Sequence, residues 1–433
     1  MSLYTNSNVV THIIDPVYNR SQQRSIFNIP NDTHILANMR LGGFGAISST
    51  ATTYLGGLGS LGVIDSVILE TQDGTVIDQL QNFQLYQAFK NYNKTNQHNK
   101  DTSSNLAKTN NGSYFGGLTN ATEQGIKIRN YNINPGSRAV LTTELLTSLG
   151  WLRLAEVLNV LKVMPVINTT ILKDLRLIIN YNSTLGEYLT DTGNGPFETS
   201  QPYLILDELK TDEQMPLLTT EFNSIEHDVI NIDGIFPTAG ELTKVQNVNR
   251  ALHGFRNKSI QRMMVCKEPT LPSSYQETPG VNTRFGKVAS VACHKEVLQV
   301  SVNGMSLWTE NGINKENQRL AMLNDVYDGF NTYPFLNGTA YLETDAVNRN
   351  MHYKEGNNDL SMNDYYGCLI QSEISDLKIN FSRTGVYVAT GATPAVDITN
   401  TASVNQALNM HFFAEVKKVL VPAGDNGFLV QYL

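Results

Sequence analysis

The sequence predicts an all-β protein made of two similar sandwich units in tandem, with short helices and long polar loops. Three observations carry that reading. The first is a pattern that occurs twice. One copy is Val63-Ile64-Asp65-Ser66-Val67-Ile68-Leu69, a turn at Asp73-Gly74, the short run Thr75-Val76-Ile77, and an amphipathic stretch from Asp78 to Tyr92. The other is Val297-Leu298-Gln299-Val300-Ser301-Val302, a turn at Asn303-Gly304, the short run Met305-Ser306-Leu307-Trp308, and an amphipathic stretch from Lys315 to Phe330. An echo trails each copy: Leu172-Lys173-Asp174-Leu175-Arg176-Leu177 and Ile374-Ser375-Asp376-Leu377-Lys378-Ile379. A pattern repeated in the same order marks a duplicated structural unit. The second observation is composition. Charged residues are 17% of the chain, below the ~25% usual for soluble domains, and Asn, Thr, Ser and Gly fill the difference. Such residues favour turns and compete with helix hydrogen bonding. The third is the number of short apolar runs bounded by turn signals, which read as strands stacked in sandwiches.

The elements follow in order. Residues 1–23 lack periodicity and read as an extended arm. Ile26-Phe27-Asn28-Ile29 opens the β pattern, broken at Pro30-Asn31-Asp32 and resumed from His34 to Leu41. Residues 42–62 are rich in Gly, Ser and Thr and read as a loop or glycine-lightened strand. After the first hairpin, Leu85, Ala88, Phe89 and Tyr92 share one helical face. Residues 93–121 form a long polar loop. Strands are expected near Ile126–Ile128 and Ala139–Leu146. Thr147 or Ser148 caps a second helix striped by Leu154, Val157, Leu158 and Leu161 and stopped by Pro165. Leu175, Leu177, Ile179 and Tyr181 give a strand with one buried face, and Tyr203–Leu206 the next.

Asp207–Gln214 is charged and turn-rich, and places the unit boundary between there and about Asn223. Strands of the second unit are expected at Asp228–Ile232, Ile260–Val265, Val288–Ala292 and over Leu298, Val300 and Val302. A helix then carries Leu320, Leu323, Tyr327 and Phe330, and a second long polar loop covers 331–366. Leu377, Ile379 and Phe381 alternate, and Phe412–Val421 and Phe428–Leu433 tie the C-terminus into a sheet.

The 433 residues suit two units of roughly 200, and the 41% apolar share suffices for two cores. Net charge is −8, without a basic arm, so packing against nucleic-acid phosphate is not the expected main task. No run of about 18 apolar residues suggests a membrane-spanning helix. Met-Ser-Leu-Tyr-Thr-Asn at the start does not read as a secretory signal. Cys266, Cys293 and Cys368 are odd in number and widely spaced, which argues against a disulfide scaffold.

Chemical motifs are weak. Gly57-Leu58-Gly59-Ser60-Leu61-Gly62 has dinucleotide-binding glycine spacing, but a β run follows where that motif needs a helix. Adjacent Cys293 and His294 would point to opposite strand faces, a poor pair of metal ligands even with Cys266 upstream. The eight histidines are otherwise scattered. Asn-x-Ser/Thr triplets at Asn31, Asn111, Asn120 and Asn337 are expected by chance in such a chain. The stripes with Phe83, Tyr86 and Phe89, or Leu323 and Tyr327, read as core packing before partner binding. No catalytic, cofactor-binding or metal-ligating residue is assigned, and no enzymatic activity is expected.

Four features together resemble the double jelly-roll major capsid proteins of icosahedral double-stranded DNA viruses. They are the Ile26-Phe27-Asn28-Ile29-Pro30 strand, the Gly62-to-Tyr92 block, its counterpart from Glu296 to Phe330, and the Phe412-to-Leu433 strand pair around Pro422-Ala423-Gly424. The chain is most similar to the compact members, from virophages and polinton-like viruses. The resemblance implies two eight-stranded antiparallel jelly rolls, over 24–218 and 219–433, after an N-terminal arm at 1–23. It implies a virion protein, assembled inside the host cell, that forms hexon-like homotrimers of pseudo-hexagonal outline. Trimer contacts would each bury above ~2,000 Å². Expected partners are neighbouring copies, penton and minor capsid proteins, and an internal membrane met by the arm, with no sequence-specific nucleic acid. Loops 93–121 and 331–366 would form the outer turrets. The competing reading is a carbohydrate-binding or carbohydrate-cleaving β-sandwich protein, for which Trp151 and Trp308 are the aromatic platforms on offer. A trimeric viral fibre would need a shaft repeat or coiled-coil stalk, and neither is present.

Overall fold

The computed structural model describes residues 8–48, 59–87, 150–182, 197–211, 216–269, 294–308, 312–313, 318, 322, 325–326, 365–387, 407–423 and 427–433. The first half contains β1 (Asn8–Ile14), β2 (Tyr18–Arg20), β3 (Arg24–Asn28), β4 (His34–Leu36), β5 (Arg40–Phe44), β6 (Ala46–Ser48), β7 (Ile64–Thr71) and β8 (Val76–Leu80). It continues with β9 (Gly150–Arg153), β10 (Val166–Asn168), β11 (Leu175–Tyr181), β12 (Phe197–Thr199) and β13 (Tyr203–Lys210). The second half contains β14 (Thr220–Ile232), β15 (Thr243–Ala251), β16 (Ser259–Pro269), β17 (His294–Val302), β18 (Met305–Ser306), β19 (Tyr365–Glu373), β20 (Leu377–Val386), β21 (Leu408–Ala423) and β22 (Gly427–Tyr432).

The second unit has the plainer topology. One sheet runs β14-β21-β16-β19 and the other β15-β20-β17-β18. The first strand, β14, lies beside β21, β22 adds to β21 at the C-terminus, and apart from the β17–β18 and β21–β22 hairpins successive strands alternate between the two sheets. That is the jelly-roll order. The first unit repeats it. In one sheet β13 pairs with β1 on one side and with β5 and β4 on the other, and these in turn pair with β9 and β10. The opposing sheet runs β2-β3-β11-β7-β8. The fold is therefore two tandem antiparallel jelly rolls.

The duplication reaches single hydrogen bonds. Gln72 N donates to Asp174 O at 2.9 Å, and Asn303 N to Asp376 O at 2.7 Å. Ile29 N donates to Leu175 O at 2.9 Å, and Leu252 N to Leu377 O at 2.8 Å. The second hairpin closes through Asn303 (φ 52°) and Gly304 (φ 83°) between paired Val302 and Met305. Positive φ at both central residues is what a two-residue turn of this twist needs, and Asn-Gly supplies it.

Alternation fills the cores. In β20 Leu377, Ile379 and Phe381 point inward, and in β17 Leu298, Val300 and Val302 do so. The first core does not stop at its own unit. Phe222, Ile225, Met264, Cys266, Phe413 and Leu420, all from the second half, pack into the same apolar cluster as Phe83, Tyr86 and Leu158.

Several expectations need correction. Residues 1–23 are not simply an arm: β1 pairs with β13 over seven residues, Asn8↔Lys210 to Ile14↔Leu204, and β2 pairs with β3. Val9, Val10 and Ile13 interrupt an otherwise polar stretch, so the strand shows no clean period. The stretch from Asp78 is first a strand, and helix begins only at 83. Pairing of β8 with β7 wins over the helical spacing. The helix expected from about 148 to 164 breaks into β9, a 3-10 turn at Leu154–Glu156 and a four-residue helix, α1 (Val160–Val163), because β5 claims Gly150–Arg153 as a sheet partner. Leu154, Val157, Leu158 and Leu161 are nevertheless buried. Asp207–Lys210 is strand rather than turn, and β14 starts at Thr220 rather than Asp228. The expected strands at 126–128, 139–146 and 288–292 lie outside the described residues. So do loop 93–121 and all but the last two residues of 331–366.

Candidate functional site

The sequence assigned no catalytic residue, and the groups that stand out sit where the two units meet. Asp78 in β8 is buried against the second unit. Its Oδ2 accepts from Val160 N–H at 3.0 Å, and its Oδ1 accepts from the Ser224 hydroxyl at 2.7 Å. Burial pushes the carboxyl above its ordinary value, against the pull of the Val160 and Ser224 hydrogen bonds and of the Lys418 charge. Asn159 Nδ2 donates to Asn223 O at 2.6 Å, and Asn82 Nδ2 lies 3.2 Å from His227 Nδ1. His227 in turn stacks on His411, with ring centroids 5.2 Å apart. Tyr86 tilts against Phe413 at 5.6 Å. Beside these contacts runs a groove of about 420 Å³ lined by both units, among them Glu156, Lys162, Glu221 and the Arg262–Glu415 ion pair. Its charges are of both signs, with Arg262 and Glu415 paired to each other and Lys162 donating to Asn159, which suits a joint better than a ligand pocket.

Buried ion pairs stiffen each unit near its ends. Glu226 lies 2.7 Å from Lys418 and 3.6 Å from Lys258, and accepts from the Tyr432 hydroxyl at 3.0 Å. Burial works to raise the Glu226 carboxyl, but Lys418 first and Lys258 after it outweigh burial and hold the group below its ordinary value. In the first unit Asp207 accepts from Thr11, Asn38 and Arg40, all within 2.7 Å. Of these residues, Asp207 opens the segment that the sequence suggested was a turn. Strand alternation alone gave no signal for them, since charge at a buried strand position is legible only once its partner is known.

Outward, several apolar side chains are left uncovered on each unit. In the first unit Ile13 and Val17 are 70% and 62% exposed, with Val9 beside them. In the second unit Phe236, Leu242 and Val245 are 74%, 73% and 62% exposed. The last of these lies on β15, an edge strand. Edge strands with exposed apolar residues are what soluble monomers avoid.

The motifs weighed in the sequence behave as packing. Gly59–Val63 is a 3-10 turn that leads straight into β7, not a strand-to-helix phosphate loop. Cys266 and Cys368 are buried thiols outside any disulfide, and no group of three metal-ligating side chains gathers among the described residues. Burial alone pushes the Cys368 thiol up. The Asn31 amide donates to the Asp174 carboxylate at 2.7 Å and accepts from Asp174 N at 2.9 Å, so it fastens a turn. Trp151 belongs to β9 and meets Tyr203 edge-on at 6.2 Å. Trp308 packs on the second core. The two are in different units and form no common platform. Phe83 and Tyr86 are buried in the joint, whereas Phe89, Leu323 and Tyr327 fall outside the described residues.

No protein-family model and no curated protein sequence matches this chain. Solved structures do. The chain is similar to PBCV-1 VP54 as fitted into a reconstruction of the virophage Sputnik, with TM-score 0.57 and 10% identity over 99% of this chain and 97% of the other. It is similar to the PBCV-1 virus capsid model, with TM-score 0.54 and 10% identity over 99% and 97%. It is also similar to a chain of the Sputnik virophage structure, with TM-score 0.53 and 12% identity over 98% and 88%. At such identities the likeness is one of fold, and it runs nearly end to end: two jelly rolls in the same order, with no unit added or missing.

Proposed function

We propose that this chain is the major capsid protein of a small icosahedral double-stranded DNA virus, a structural subunit without catalytic activity. What carries the proposal is the end-to-end likeness to PBCV-1 and Sputnik capsid chains, joined to the same underlying jelly-roll strand order in both units. In this reading the jelly rolls, divided near 218/219, stand as two similar walls, and three chains form a hexon-like trimer of pseudo-hexagonal outline. The exposed apolar side chains of the first unit and those of the second lie on different surfaces. A contact between different surfaces is heterologous, and with a rotation of one third of a turn it closes as a three-membered ring. The trimers tile a shell in the virion with penton and minor capsid proteins, after synthesis in the host cell. The few residues before β1 remain the segment for contact with a neighbour or an internal membrane.

The test is the mass of the purified chain by light scattering, with negative-stain imaging of the same sample. Trimers with a hexagonal outline are expected. A protein that stays monomeric at micromolar concentration in all buffers would overturn the proposal.

A further inference from the structure

The second sandwich carries a charged pair that bridges its two sheets beside the apolar core. Lys267, on β16, and Glu296, on β17, belong to opposing sheets, and Lys267 Nζ lies 2.6 Å from Glu296 Oε2. The lysine side chain is wholly buried and the glutamate side chain is 8% exposed. The hydroxyl of Tyr366, a fully buried residue of β19, donates to the other carboxylate oxygen, Oε1. Around them Val265, Leu298 and Cys368 belong to the second core. The glutamate sits in a β-bulge between His294 and Val297, next to Lys295 at φ 49°. Glu296 has the strand parity of inward-facing Leu298, Val300 and Val302, which sets its carboxylate in the space between the sheets.

We propose that Lys267 and Glu296 become joined by an intramolecular amide bond, which ties the two sheets of the second jelly roll together. The buried ions are costly in a dry interior, so passing a proton from the ammonium to Oε2 removes both charges. The neutral amine then attacks Cδ of Glu296. The tetrahedral intermediate places its developing negative charge on Oε1, where the Tyr366 hydroxyl already donates. A second proton passes from the nitrogen to Oε2, the Cδ–Oε2 bond breaks, and water leaves. Ammonium plus carboxylate become amide plus one water, with no oxidant, reductant or outside reagent. Amide formation from separate ions in water is unfavourable. Here the groups are held in contact, and well-oriented intramolecular reactions reach effective molarities of about 10⁵–10⁸ M. Tyr366 is a positioning and charge-stabilising residue, and the nucleophile and electrophile are both side chains of this chain. The bond needs only the folded monomer, so it stands or falls apart from the shell reading.

Intact-mass spectrometry of the full chain, denatured after purification, tests it. The expected mass is lighter than the sequence mass by one water. Proteolysis is expected to release one branched peptide that holds Lys267 and Glu296. Lys267→Arg, which keeps the charge but lacks a primary amine, restores the full sequence mass. Tyr366→Phe lowers the linked fraction measured at fixed times after synthesis. A wild-type chain at full sequence mass, with Lys267 open to an amine-reactive label once denatured, would overturn the proposal whatever the variants do.

Discussion

Asp78 and Glu226 are both buried carboxylates, and they answer acid in opposite directions. Asp78 is held above its ordinary value by burial. Its contribution to stability is therefore full below the ordinary carboxylate range and is lost as pH rises through the raised value. Asp78→Ala leaves the Val160 N–H and the Ser224 hydroxyl without their acceptor, a loss of about 1–3 kcal/mol. Urea unfolding of the variant and the parent is expected to differ most near pH 4 and less near pH 7 (about a carboxylate's ordinary range and well above it). A difference that grows with pH would contradict this. Glu226 is held low by Lys418 and Lys258 in spite of burial. Its contribution is present above the ordinary glutamate range and lost as pH falls through the lowered value. Lys418, in turn, is raised: burial would lower it, but Glu226 prevails. Lys418→Ala strands Glu226, whose side chain is 11% exposed, with Lys258 as remaining cation. Breaking one partner out of a buried pair costs about 3–5 kcal/mol, and the remaining lysine puts this case near the low end. The urea midpoint at neutral pH measures it, and the deficit should shrink in acid once Glu226 takes up a proton.

At the scale of elements, the bulged strand β5 of the first unit shows what local geometry demands. The strand expected over His34–Leu41 is split into β4 and β5, and β5 pairs with β9 through a bulge between Gly42 and Phe44. Gly43 there has φ 72°, and a Cβ would come within 2.7 Å of the Tyr203 ring. Gly74, in the first hairpin, has φ 92° but open space around it. Gly43→Ala should therefore lower stability by about 2–3 kcal/mol, backbone strain and ring clash together, and Gly74→Ala by about 1 kcal/mol, strain alone. Thermal unfolding of the two variants checks the order, and equal losses would contradict it. The same contrast explains what was legible. The hairpins of both units and the strands Leu175–Tyr181, Leu377–Phe381 and Phe412–Val421 could be read from turn residues and from alternating or continuous apolar runs, because the opposing sheet buries one face of each and, for Phe412–Val421, the joint buries the other. The elements misread were those decided from a distance. β1 is recruited by β13 nearly two hundred residues later in the chain, Gly150–Arg153 by β5, and Asp207–Lys210 by β1. The joint was legible only in part. Tyr86 stood out as an apolar stripe residue, but Asp78, Ser224 and His227 join across units and carry no local signature.

At the scale of the whole molecule, the shared cluster decides how the two units behave. Phe222, Ile225, Met264, Cys266, Phe413 and Leu420 bury against the first unit as well as their own. At about 1.5–3 kcal/mol for each large side chain fully buried, and with only part of each lost on separation, parting the units costs on the order of 10 kcal/mol. That rivals the whole stability of a single domain, about 5–15 kcal/mol. A first unit that unfolds would strip the second of a cover as large as its own margin, so the two should melt together. The chain's two tryptophans report on one unit each. Trp151 lies against Tyr203 in the first, and Trp308 packs on the core of the second. Trp308→Phe leaves a probe of the first jelly roll, and Trp151→Phe a probe of the second. Urea titrations followed by fluorescence are expected to give one transition in each variant, with midpoints that coincide after correction for each variant's own stability by circular dichroism. Phe413→Ala, which opens the joint without touching either tryptophan, should separate the midpoints and destabilise by about 3–5 kcal/mol. Two separate transitions in the unaltered joint would mean that the interdomain cluster contributes far less than its buried surface implies.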